Sequence, residues 1–145
     1  MFEDSAITSV AHVIQLSVAP VFLLTGIGSM LSVMTTRFAR IIDRSRVLEI
    51  MTPTETHTRE QIENELRSLA RRGKCINRSI TLCTITALLI SLVIAILFLG
   101  AFVAFDTSIP VAFLFITAML CLITALIYFL KEIMHATSSV RIGRN

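Results

Sequence analysis

Residues 6–36 carry no Asp, Glu, Lys or Arg, and the composition then flips at Arg37 with no Gly or Pro between the two halves. A helix rises about 1.5 Å per residue, so this charge-free run is long enough to cross a hydrocarbon core of about 30 Å. Beyond it Arg37, Arg40, Asp43, Arg44 and Arg46 interleave with Phe38, Ile41, Ile42 and Leu48. The pattern predicts one continuous rod that leaves a membrane and enters water. Two further apolar blocks follow at about 79–104 and 110–130, separated by a short turn containing Asp106, Thr107 and Ser108. The expected fold is an all-α membrane protein with three transmembrane helices, the first over about 6–36, in a single domain covering residues 1–145.

Segment 37–78 reads as an antiparallel helical hairpin between the first and second spans. Its first arm sets Phe38, Ile41, Ile42, Ser45 and Leu48 on one face. Its second arm sets Ile62, Leu66, Leu69, Gly73, Ile76 and Ile80 on a heptad-like stripe that runs into the next span. Between the arms Thr52, Pro53 and Glu55 have the order of a capping box with proline at the first helical position. Glu63 and Arg67 stand four residues apart in the favourable order for an ion pair. The tail, 131–145, is short and basic and is expected to be helical only at its start.

Charge adds orientation. The net charge is +3, and all 13 Lys and Arg fall in 37–78 and 131–145, whereas the other polar ends hold only Glu3, Asp4 and Asp106. The positive-inside rule therefore puts the hairpin and tail in the cytoplasm and the N-terminus outside, N-out and C-in. The N-terminus carries acids where a signal peptide carries positive charge, so it reads as mature sequence. Cys75, Cys83 and Cys121 form no C-x-x-C, and small apolar packing is their expected role.

Candidate chemistry is sparse. His12 and Gln15 share a helical face with Thr8, Ala19 and Gly26 in the outer half of the first span. A polar side chain in hydrocarbon turns toward protein or water, so this face is either a pore-lining, proton-sensing stripe or an interhelical hydrogen-bonding one. Thr25, Ser29, Ser32 and Thr36 form a second small polar face, suited to a conduit or to tight helix contact. Pro20 removes an N–H near mid-span and, with Gly26 and Gly28, marks a hinge. Arg37, Arg40, Asp43, Arg44 and Arg46 lie where lipid headgroups end, as an anionic-lipid site, a collar at a pore mouth or a topological anchor, with Asp43 expected to pair with an arginine. There is no H-E-x-x-H, no G-x-S-x-G and no Walker lysine motif. His12, His57 and His135 fall in different segments, so no catalytic residue, metal or cofactor is expected. Nucleic acid is not an expected partner, since the basic hairpin has few aromatics and many acids.

The stretches VIQLSVAPVFLLTGIGSML and TRFARIIDRSRVLE resemble a bacterial membrane family, domain of unknown function 2721, over nearly the whole chain. Pro20, Gly26, Arg37, Arg40, Asp43, Arg44 and Arg46 carry the resemblance. It implies a small multi-pass protein of the bacterial inner (cytoplasmic) membrane and brings no activity with it. Residues and resemblance together leave two functional expectations. One is a homo-oligomeric, channel-like protein with its first helices toward the axis. The other is a non-conducting scaffold that presents the hairpin to a cytosolic protein partner.

Overall fold

The computed structural model describes residues 2–50, 59–103 and 107–140, with side chains over 11–50, 59–100 and 107–134. Three α-helices account for nearly all of them: α1 (Phe2–Ile50), α2 (Arg59–Val103) and α3 (Ser108–Val140). α1 passes through Pro20 and across the composition change at Arg37 without interruption, as the missing turn signal implied. It begins ahead of Asp4 and Ser5, so both belong to its first turn. The Thr52–Pro53–Glu55 capping box lies outside the described residues. All three helices are long and apolar enough to cross a membrane. Their outward faces are apolar: Phe22, Leu88, Leu99, Phe113 and Ile116 are exposed. Such surface belongs against lipid tails, and the protein is a multi-pass membrane protein.

Each helix buries a seam that repeats every seven residues. On α1 the seam is Pro20, Ile27, Met34, Ile41 and Leu48; on α2 it is Ile62, Leu69, Ile76, Cys83 and Ile90; on α3 it is Ala118, Ala125 and Glu132. A seven-residue repeat keeps one stripe of a helix turned toward its neighbours, which is the rule of coiled-coil packing. The seam residues are apolar or small up to the last, which is an acid.

The chain divides into two compact units, Met1–Leu31 with Leu82–Ile123, and Ser32–Thr81 with Thr124–Asn145. In the first, Ile27, Cys83, Ile90, Val93 and Ala118 are buried. Ser17 and Thr86 are buried too, and their hydroxyls donate to the Val13 and Leu82 carbonyls of their own helices. That bond removes the cost of a bare hydroxyl in an apolar setting. Val111 N–H donates to the Thr107 carbonyl, which makes Thr107 the N-cap of α3 and leaves Pro110 in the first turn, where its missing N–H costs nothing. Gly100 is required here: a Cβ on it would lie 2.7 Å from Thr107 Cγ2.

In the second unit Ile41 and Leu48 of α1 pack with Ile62, Leu69 and Ile76 of α2, flanked by Phe38, Leu66, Ile80 and Phe129. The arms are antiparallel, because Ile41 lies against Gly73 while Arg44 reaches Glu65. The second expected stripe is therefore present, and the first is represented by Phe38, Ile41 and Leu48, without Ile42 and Ser45. The tail is helical over its described part: α3 continues to Val140, and its later turns are a third helix of this unit. Ser79 Oγ, fully buried, donates to the Ala125 carbonyl at 3.0 Å and ties α2 to α3 where both side chains are small. Gly73 has no such demand on it. A Cβ there would sit 3.8 Å from Ile41 Cγ2, an ordinary contact. Gly73→Ala should therefore stabilise the protein by up to about 1 kcal/mol through helix propensity, read as a raised unfolding midpoint in detergent.

Candidate functional site

The second unit holds a charged constellation built on Glu132. α3 delivers this acid at the seam position after Ala118 and Ala125, where it is 1% exposed. Arg72 Nη2 of α2 donates to Glu132 Oε1 at 3.0 Å, and Arg37 Nη1 of α1 lies 3.6 Å from Oε2. One carboxylate thus clips three helices together. Phe129, one turn earlier on α3, places its ring 5.6 Å from the Arg37 guanidinium carbon, within cation–π range. Tyr128 lies 5.9 Å from both Arg78 and Lys131.

Beside the clip, Arg37, Arg40, Arg44 and Arg72 share a cleft of about 610 Å³ with Thr36 and Glu132. The helical period explains the first three, since residues 37, 40 and 44 recur at i, i+3 and i+7 on one face of α1. Arg44 Nε donates to Glu65 Oε1 at 2.9 Å. Both side chains are largely solvent-accessible, so the pair is worth at most about 1 kcal/mol. Arg40 makes no ion pair among the described residues. Buried atoms are also left unmet: Arg72 Nε has no acceptor and Glu132 Oε2 has no hydrogen-bond donor.

Ser32 and Thr36 also line the cleft, and the remaining expected site residues are not part of this cluster. Asp43 and Arg46 are exposed and form no ion pair among the described residues; the acid that pairs with Arg44 is Glu65. Glu63 and Arg67 likewise stay apart. His12 and Gln15 are exposed on α1, as are Thr25, Ser29, Ser32 and Thr36. The hydroxyls of Thr25, Ser29 and Thr36 donate to the carbonyls of Val21, Thr25 and Ser32, four residues back. Among the described residues nothing lies within 4 Å of a Cβ built on Gly26 or Gly28. Pro20 is buried on the α1 seam.

Sequence reasoning missed Glu132 and, with it, the role of Arg72. The signal was there to read: Glu132 is the sole acid after Asp106, and it stands seven and fourteen residues beyond two alanines on the buried face of α3. No curated protein and no solved structure matches the chain. The family model described as protein of unknown function (DUF2721) matches residues 17–142, and the chain belongs to that family.

Proposed function

We propose that the protein is a homo-oligomeric, channel-like component of the bacterial inner membrane, with α1 toward the oligomer axis. One observation carries this reading: the small polar face of α1 is open. Thr25, Gly26, Gly28, Ser29 and Thr36 are exposed in the single chain, although they belong to the helix's charge-free stretch. Small residues of this kind let neighbouring helices approach closely in a membrane, and polar side chains such as His12 and Gln15 turn from lipid toward protein or water. In the assembly His12 and Gln15 line the outer half, Ser29, Ser32 and Thr36 the inner half, and Arg37 and Arg40 the cytoplasmic mouth. Pro20, Gly26 and Gly28 form the hinge. The basic segments put the N-terminus outside and the paired arms of α1 and α2 in the cytosol, next to the anionic inner leaflet.

The test is native mass in nanodiscs across a range of protein concentrations, followed by bilayer recordings. A closed oligomer of four or more subunits is expected, with ion flux altered in His12→Ala and Gln15→Leu. Unchanged flux in both variants removes these residues from the pathway. A monomer or dimer leaves no axial pore and favours the second reading, a non-conducting scaffold. The exposed side chains of Glu60, Arg67 and Arg71 on α2 support that alternative as a recognition surface.

A further inference from the structure

The arginine cleft is a binding site in its own right. Three of its four guanidiniums are already positioned, Arg37 and Arg72 by Glu132 and Arg44 by Glu65. Arg40 faces the cleft with no counter-charge of its own among the described residues. Four cations against one lining carboxylate leave an excess of positive charge. An oxyanion supplies the missing negative charge. Guanidinium forks match phosphate oxygens two at a time, and a tetrahedral phosphate can engage several forks at once. At about 610 Å³ the cleft is also larger than a bare phosphate needs and within the range of small-molecule sites.

We infer that the cleft binds a phosphate group, carried by an anionic lipid headgroup. Its lining supports the lipid carrier: Val33, Ile41 and Leu69 give it an apolar wall, and its Ser32 end belongs to the charge-free stretch of α1. Arg40 and Arg44 take the phosphate oxygens, and the apolar side receives the glycerol and the first acyl carbons. Glu132 acts as a positioning residue. The cleft shares Ser32, Thr36, Arg37 and Arg40 with the inner half and mouth of the pore proposed above, so in the oligomer the phosphate sits at that mouth, and the lipid carrier rests on the same membrane placement.

Thermal unfolding of the purified full chain in non-ionic detergent and phosphate-free buffer tests this. The probes are dioctanoyl phosphatidylglycerol, inorganic phosphate and phosphate-free dioctanoylglycerol. Phosphatidylglycerol should raise the melting temperature saturably and dioctanoylglycerol should not, with inorganic phosphate competing only at higher concentration. Arg40→Ala should weaken phosphatidylglycerol binding about tenfold, the loss of one charge-assisted contact, while the unligated melting temperature holds because Arg40 carries no ion pair. Inorganic phosphate binding as tightly as the lipid keeps the phosphate site and overturns the lipid as its carrier. Equal stabilisation by dioctanoylglycerol, or unchanged affinity in both Arg40→Ala and Arg44→Ala, overturns the site. Native mass taken on the same samples separates this outcome from the oligomer: a monomer that binds phosphatidylglycerol keeps the cleft and loses the pore.

Discussion

Glu132→Ala should cost about 3–5 kcal/mol of stability, the largest loss expected from any single charge in the chain. The carboxylate is almost fully buried and holds Arg72 at 3.0 Å and Arg37 at 3.6 Å. Removing it leaves two guanidiniums facing each other with no acid between three helices. The pair itself need contribute little over a well-packed apolar replacement, because desolvation offsets most of its attraction. Breaking it is what costs, since the orphaned charge stays where it is. Glu132→Gln should fall between wild type and alanine, as an amide oxygen still accepts from Arg72. Arg72→Ala should cost more than Arg37→Ala, because Arg37 is 43% exposed and makes the longer contact. Reversible unfolding in mixed micelles measures all four. Wild-type stability in Glu132→Ala would mean that the acid is not held between the helices.

Leu48→Ala should cost about 2–5 kcal/mol, whereas Ile90→Ala should cost distinctly less. Both side chains are buried, Leu48 at 1% and Ile90 at 0% exposed. The difference is in the solvent. Around Leu48 the proposed surroundings are water, so truncation loses both the transfer term and the packing. Around Ile90 they are lipid tails, which are as apolar as isoleucine, and only the packing is lost. Ile50→Ala, at a position 83% exposed, serves as the control with little change expected. Equal losses for Leu48→Ala and Ile90→Ala would contradict the placement of Leu48 in water and Ile90 among lipid tails.

The helices were legible because their causes are local. A charge-free run, an apolar period and the absence of Gly or Pro at the composition change are each readable one residue at a time, and α1 follows them. The stripes of the two arms were legible for the same reason, down to Gly73 and Ile80. Ion pairs were not. Asp43 has Arg40 and Arg46 three residues away on either side, yet it forms no ion pair among the described residues, and Arg44 pairs with Glu65 on the other arm. A spacing of one turn permits an exposed pair but stabilises it by only about 0.2–0.5 kcal/mol, so partner choice passes to whatever the packed helix brings alongside.

By itself the sequence determined the helix number, the apolar outer surface, the basic segments and the three arginines on one face of α1. Periodicity and composition suffice for these, because each is a property of a single helix. Tertiary structure decided that Glu132 is buried with Arg37 and Arg72 and that four arginines share one cleft. Charges 35 and 60 residues apart, as Arg37–Arg72 and Arg72–Glu132 are, carry no mark of one another along the chain. Only the seven-residue seams on three separate helices bring them together, and burial then makes their pairing obligatory.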